Sequence, residues 1–277
     1  MRKSCVESTP GPSLVAVAIP RESPYVTRWN TQGGVVIDKA FEGQAAVVTG
    51  ASRGIGRAIA LVLAAEGASV ALVGRDVQAL GDAADHASAA GAMVARYRTD
   101  LTHDDEIRAL AGQVSRDFGR VDILVHSAAV VSLGTLSRAP VSDLDDLYRT
   151  NVRAPYLLTQ ALLPMIIASQ GQVVFINSSI GLTTRAEVCQ YAATKYALRA
   201  VADSLRDEIN ESGVRVLSVY PGRTATPRQA SLHEAAGKPY HPERLIQPED
   251  VAAMVLGALR LPRTAEVTDI SIRPFRK

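Results

Sequence analysis

From Gln44 onward the chain alternates short apolar runs with longer amphipathic stretches. The runs fall at Ala45–Val48, Val70–Val73, Met93–Tyr97, Val121–Val125, Val173–Ile176, Val214–Val219 and around Val267–Ile272. They are continuous and rich in β-branched residues, a pattern that predicts strands buried on both faces. Between them the spacing predicts helices over 55–67, 76–90, 103–118, 143–169, 190–212 and 248–260. Strand and helix repeated in this order predict an α/β fold, one doubly wound domain of about seven parallel strands with helices on both faces.

Local punctuation marks the boundaries. Thr102 with Asp105 three residues on reads as an acidic capping box that starts a helix at His103. Gly171 and Gly213 each stand between a helix and a strand, as C-terminal caps do, and Pro248 opens a helix with Glu249 and Asp250 at its positive end. Residues 1–43 keep neither period. With Pro10, Pro12, Pro20, Pro24 and Gly33-Gly34 they read as a disordered N-terminal extension ahead of a domain over 44–277.

Composition narrows the function classes. A chain of 277 residues, 47% hydrophobic, is long enough for one large core. Thirty basic residues against 28 acidic leave a net charge of +2, too balanced for a chain that binds polyanions, which argues against nucleic acid as a partner. Cys5 and Cys189 form neither a disulfide framework nor metal-type spacing, and a reducing cytoplasm fits. No apolar run approaches the ~20 residues that span a bilayer. Leu14–Ile19, after Arg2-Lys3, is too short and too interrupted upstream to read as a secretory signal. No His/Cys/Asp/Glu spacing points to a catalytic metal.

Two stretches carry candidate chemistry. The first strand runs into Thr49-Gly50-Ala51-Ser52-Arg53-Gly54-Ile55-Gly56 and then into a helix, the order a dinucleotide phosphate site requires. Gly50 suits a tight turn, Gly54 close approach of backbone to pyrophosphate, and Gly56 a helix lying close on the sheet. No Lys-Ser/Thr follows the loop, which disfavours a triphosphatase loop. Farther on, Tyr191 and Lys195 stand at i, i+4 on one helix face, with Ser178-Ser179 upstream. A neighbouring ammonium favours phenolate and draws a tyrosine pKa down from about 10.

With these landmarks in order, from Phe41 to the C-terminus the chain resembles the short-chain dehydrogenase/reductase superfamily in its common form of about 250 residues. The resemblance rests on Thr49–Gly56, Asp100, Val121–Ala129, Asn151, Ser178, Tyr191 to Lys195, and Pro221-Gly222. It implies a Rossmann-type fold and a nicotinamide cofactor. Tyr191 would move the proton of a carbonyl/alcohol interconversion, and Lys195 would lower its pKa and hold the ribose. Ser178 would polarise the substrate oxygen, and Asn151, inside the helix over 143–169, would fix a water relaying protons to Lys195. Ser178, which is followed by x-x-Gly181, fits the family frame better than Ser179, whose hydroxyl reads as hydrogen-bonded to local backbone.

The resemblance places the cofactor against Gly50, Ser52, Arg53, Gly54, Ile55, Gly56, Arg75, Asp100, Leu101, Ser127, Ala128, Tyr191, Lys195, Pro221, Gly222, Thr224 and Thr226. NAD users commonly carry an acid at the end of the second strand. Gly74 stands there instead, with Arg75 and Arg53 beside it, which favours NADP(H) over NAD(H); Asp76 then reads as a helix cap. The fourth strand ends His126-Ser127-Ala128-Ala129 where the family usually shows Asn-Asn-Ala-Gly. His126 reads as a buried hydrogen-bonding side chain, and Ala129 adds a methyl near the cofactor.

Residues 227–247 are expected to form a flexible substrate lid, its histidines on the surface, and Cys189 reads as an ordinary packing residue. The function this implies is an NADP(H)-dependent oxidoreductase of a small-molecule carbonyl or secondary alcohol, a carbonyl reductase in the reductive direction. The expected assembly is a homodimer or homotetramer through the long helices. One alternative is a 3-oxoacyl-thioester reductase with a basic carrier entrance at Arg138, Arg149 and Arg153. Another is a non-catalytic NADP-binding sensor, a class that usually lacks the Tyr/Lys pair.

Overall fold

The computed structural model describes residues 39–275, together with two short strands, Arg28–Trp29 and Val35–Val36, that pair antiparallel. The chain divides into two units, Met1–Asp38 and Lys39–Lys277. Most of the expected N-terminal extension therefore lies outside the described residues. Phe41, which falls within that span, is a core residue only 3% exposed, and its N–H donates to the Glu66 carbonyl at 2.9 Å.

Seven strands form one parallel sheet: β1 (Ala45–Thr49), β2 (Ser69–Gly74), β3 (Val94–Arg98), β4 (Ile123–His126), β5 (Gln172–Ile176), β6 (Arg215–Pro221) and β7 (Asp269–Ile272). Their order is β3-β2-β1-β4-β5-β6-β7, as expected of a doubly wound, Rossmann-type fold. The continuous apolar runs are explained by two cores. Successive residues point to opposite faces, so Val48, Leu72 and Val125 join one cluster, while Val47, Val73 and Leu124 join the other. The helices α1 (Gly54–Ala65), α2 (Val77–Ser88) and α8 (Pro248–Leu259) cover the first face. On the second lie α3 (Asp104–Phe118), α5 (Ala154–Ala168) and α6 (Cys189–Ile209). The sheet reverses its winding between β1 and β4, so their connections part and open a crevice at the strands' C-terminal ends.

Asp76 caps α2 as expected, accepting from the Ala79 N–H at 3.0 Å, and Gln247 with Asp250 forms a capping box that starts α8 at Pro248. Three boundary expectations need correction. The cap of α3 is His103, without a side-chain bond, because the Thr102 hydroxyl turns back to Asp100 at 2.8 Å. After α5 it is Gln170, at φ 50°, that adopts the left-handed conformation. Gly171 is required for a different reason: a Cβ there would lie 2.7 Å from the Asp122 carbonyl oxygen. The helix expected over 143–169 is α4 (Val141–Tyr148), a π-helical turn at Arg149–Arg153, and α5.

Candidate active site

The turn after β1 is built around close backbone contacts. Gly50 sits at φ 67°, and a Cβ on it would meet the Ala128 nitrogen at 2.8 Å. The Thr49 hydroxyl ties this turn to β4, donating to the Val125 carbonyl at 3.2 Å and accepting from the N–H groups of Ser127 at 3.1 Å and Ala128 at 3.2 Å. A Cβ on Gly56 would lie 2.4 Å from the Gly50 carbonyl oxygen, so the first turn of α1 rests on the loop that feeds it. Gly54, at φ 56°, leaves room for the Thr226 methyl, 3.1 Å from where its Cβ would stand. The cap of α1, Arg53, supplies no side-chain acceptor, and no acidic residue occupies the first turn. An uncapped helix N-terminus behind a loop with no obstructing side chain suits a diphosphate.

At the far side of this loop, Ser52 and Arg53 face Gly74 and Arg75 at the end of β2. The Ser52 hydroxyl is 3.6 Å from where a Gly74 Cβ would be. Arg53 pairs with Asp76, and Arg75 lies 4.0 Å from Asp100, with the two guanidinium side chains 61% and 65% exposed. Asp100 sits below the usual carboxylate range: burial raises its pKa, but hydrogen bonds from Thr102 and the charge of Arg75 outweigh that. Leu101 belongs to the core.

Across the crevice, the end of β5 and the start of α6 assemble the residues of the Ser-Tyr-Lys set. Ser178 caps a short 3-10 turn, Ser179–Gly181, accepting from the Ile180 N–H at 3.2 Å. Ser179 opens that turn. Lys195 is 2% exposed; its Nζ donates to the Ile176 carbonyl at 3.2 Å and lies 5.8 Å from the centroid of the Tyr191 ring. Burial, and secondarily the charge of Arg228, bring its ammonium down to about 7. Burial pushes the Tyr191 phenol upward, against a hydrogen bond from Ser178 and the charge of Arg228.

Asn151 lies in the π-helical turn, where its side chain accepts from the Val130 N–H at 2.8 Å and donates to the Val130 carbonyl at 2.9 Å. It also donates to the Thr194 hydroxyl at 3.2 Å, and that hydroxyl donates to the Tyr191 carbonyl at 2.8 Å. The π turn therefore pins the loop after β4 to the helix that carries Tyr191 and Lys195.

The family follows from a match over most of the chain. The sequence pattern described as short chain dehydrogenase matches residues 44–237. The chain belongs to that family of oxidoreductases. It is similar to an uncharacterised oxidoreductase of Staphylococcus saprophyticus, 32% identical over 236 residues, 84% of this chain and 98% of that one. Among solved structures, it is similar to a metagenomic short-chain oxidoreductase in complex with NADP, at 34% identity and a TM-score of 0.74 over 86% of this chain and 100% of that one. It is also similar to a 7α-hydroxysteroid dehydrogenase complexed with NADH and 7-oxo glycochenodeoxycholic acid, at 25% identity and a TM-score of 0.77 over 85% of this chain and 94% of that one.

In this short-chain dehydrogenase His126 is buried, stacked on Phe175 at 5.0 Å between centroids, with Nε2 2.7 Å from the Thr159 hydroxyl. Burial takes its pKa down to about 3, so the imidazole is neutral throughout the physiological range. Pro221 ends β6, and the Thr224 hydroxyl donates to the Gly222 carbonyl at 3.1 Å. Thr226 caps α7 (Pro227–Ala235) through the Gln229 N–H. Both ends of the segment expected to be a lid are fastened together, because Ala225 N–H donates to the Ile246 carbonyl at 2.7 Å and Ile246 N–H to the Arg223 carbonyl at 3.1 Å. Of the lid histidines, His233 is half-buried against the Tyr240 ring, 5.4 Å between centroids. Cys189, expected to pack, is exposed at the first position of α6.

Three residues that the sequence reading did not select converge here. Asn177 donates to the Lys195 carbonyl at 3.1 Å, Thr194 joins Asn151 to α6, and Arg228 reaches the Ala129 carbonyl from α7. Asn177 and Thr194 adjoin the expected motif residues. Nothing in the sequence around Arg228 marks it. Among the described residues no cluster of His, Cys, Asp and Glu is placed to hold a metal, and no helix is long and apolar enough to cross a membrane.

Proposed function

We propose that this short-chain dehydrogenase is an NADP(H)-dependent oxidoreductase of a small-molecule carbonyl or secondary alcohol. The observation that carries the reading is the grouping of Ser178, Tyr191 and buried Lys195 at the crevice whose other wall is the uncapped α1 N-terminus. The backbone amides of Gly54, Ile55 and Gly56 would hold the diphosphate. Ser52, Arg53 and Arg75 would take the 2′-phosphate, and Thr224 and Thr226 would border the nicotinamide. That ring supplies or accepts the hydride when bound.

The chain's own groups handle the proton and the charge. Tyr191 gives its phenolic proton to the carbonyl oxygen in reduction and takes it back in oxidation. Ser178 donates to the same oxygen as negative charge grows on it, which lowers the barrier more than it stabilises the ground state. Lys195, poised near 7 by burial, exchanges protons readily at neutral pH and re-supplies the phenol. Asn151 and Thr194 fix the position of both.

The absence of an acid at Gly74 supports NADP(H) over NAD(H). A carrier-linked substrate gains little support, since Arg149 and Arg153 are engaged by Asp146 and Asp104. Exposed Tyr148, Tyr156 and Tyr196, on α4 to α6, support a homo-oligomer, and the balanced charge is compatible with the cytoplasm. The test is NADPH consumption with a panel of aldehydes, ketones and oxo acids, run in parallel with NADH. Turnover is expected with at least one carbonyl, and faster with NADPH. No turnover with any substrate in either direction would defeat the reading.

A further inference from the structure

Arg228 occupies an unusual place. It is the second residue of α7, set by Thr226, whose methyl abuts Gly54 and whose hydroxyl caps the helix. The guanidinium extends from the lid across the crevice, and its Nη2 donates to the Ala129 carbonyl at the end of the β4 loop. Its charge is felt by both Tyr191 and Lys195. Ten arginines of the described residues pair with carboxylates, as Arg53 does with Asp76 and Arg153 with Asp104, and Arg228 is among those that do not. The titratable group that acts on it is the Tyr191 phenol.

The Arg228 side chain is exposed, so its guanidinium is open to a ligand that enters the crevice. It repels the Lys195 ammonium, and a neutral carbonyl is a modest acceptor for it. Five N–H donors in a planar fork leave most of its hydrogen-bonding capacity free after the Ala129 contact. A carboxylate satisfies such a fork with two parallel bonds and neutralises its charge. With Tyr191 as the proton-transfer group of the preceding section, we propose that Arg228 recognises the substrate, and that the preferred substrates are oxo acids or hydroxy acids carrying a carboxylate near the reacting carbon. Arg228 takes part in neither transfer. The carbonyl carbon receives the hydride of the reduced nicotinamide, its oxygen receives the Tyr191 proton, and the carboxylate is unchanged.

The test compares the wild-type full chain with Arg228→Gln and Arg228→Lys. Turnover is measured with NADPH on short 2-oxo and 3-oxo acids against their methyl esters. Binding of butyrate and of butyramide to the NADPH-loaded protein is measured by calorimetry, and NADPH binding by fluorescence. Wild type is expected to favour acid over ester and butyrate over butyramide. Arg228→Gln should lose roughly 10- to 100-fold of that preference, through KM rather than kcat, as expected for a lost charge-assisted contact, with NADPH affinity unchanged. Arg228→Lys should recover part of it.

Retention of the acid preference in Arg228→Gln, or a wild-type preference for the esters, would overturn the proposal while leaving carbonyl reduction standing. Weakened NADPH binding in the same variant would overturn it too, by assigning the arginine to the cofactor. Arg228-dependent butyrate binding without turnover of any carbonyl would uphold the anion site and defeat the proton-transfer reading instead.

Discussion

Replacing Gly74 with aspartate puts a carboxylate at the end of β2, where the 2′ substituent of the adenosine ribose would lie. The site accepts the side chain. Gly74 is not in a left-handed conformation, and a Cβ there would meet Leu80 at 3.4 Å and the Ser52 hydroxyl at 3.6 Å, both ordinary contacts. Arg53 and Arg75 are more than half exposed, so the effective dielectric is toward the watery end of the scale. A carboxylate about 4 Å from a phosphate carrying about two negative charges then costs roughly 2 kcal/mol, or about 30-fold in NADPH affinity. With NADH the same carboxylate accepts from the 2′-hydroxyl, a gain of about 1.5 kcal/mol, or roughly tenfold. Gly74→Asp should therefore move the NADPH/NADH affinity ratio by roughly 300-fold toward NADH. Fluorescence titration of the two reduced dinucleotides measures this without any substrate. An unchanged ratio in a variant that melts like wild type would refute the assignment of Ser52, Arg53 and Arg75 to a 2′-phosphate.

Two further predictions concern stability. Lys195 holds a proton up to about 10.5 when unfolded but only to about 7 in the fold, so wild-type stability rises with pH across that window and is flat below it. Lys195→Met abolishes this dependence. Relative to wild type, the variant should be most favoured below pH about 7 and lose that advantage toward pH 10.5, by at most ~5 kcal/mol at 1.36 kcal/mol per unit. Urea unfolding of both proteins at acidic, neutral and alkaline pH reads it, and a pH-independent difference would contradict it. Two glycine-to-alanine changes should act oppositely. Gly56→Ala drives a methyl to 2.4 Å from the Gly50 carbonyl and should cost more than about 2 kcal/mol, whereas Gly112→Ala on α3, with nothing within 4 Å, should gain about 0.5–1 kcal/mol. Thermal melts with matched signs for the two variants would contradict the close packing inferred at the loop.

The sheet and its flanking helices were legible because each depends on local pattern. Val47 and Val48 are neighbours in one apolar run and yet serve opposite cores, a consequence of strand geometry that the run itself announces. Ser178, Tyr191 and Lys195 were legible for a similar reason, since a strand end and one helix face suffice to bring them together. What escaped the sequence depended on contacts between distant segments. The π turn at Arg149–Arg153 is bound up with Asn151 bridging to Val130 and Thr194, and no periodicity signals that. Gln170, not Gly171, takes the left-handed position, because Gly171 is needed where the chain passes the Asp122 carbonyl. Arg228 was invisible because its meaning comes from where α7 aims it. The spacing of the Tyr–Lys pair gave their proximity, with Lys195 Nζ 5.8 Å from the Tyr191 ring centroid, but not the burial of the ammonium.

The central claim is that Tyr191 moves the proton in a hydride transfer between a nicotinamide and a substrate carbonyl. The most direct test is Tyr191→Phe, assayed for NADPH consumption with the best carbonyl of the panel and, separately, for NADPH binding. Loss of a positioned general acid should lower turnover by about 100- to 10,000-fold, while the NADPH dissociation constant stays within about threefold of wild type. A variant that turns over at the wild-type rate would contradict the account.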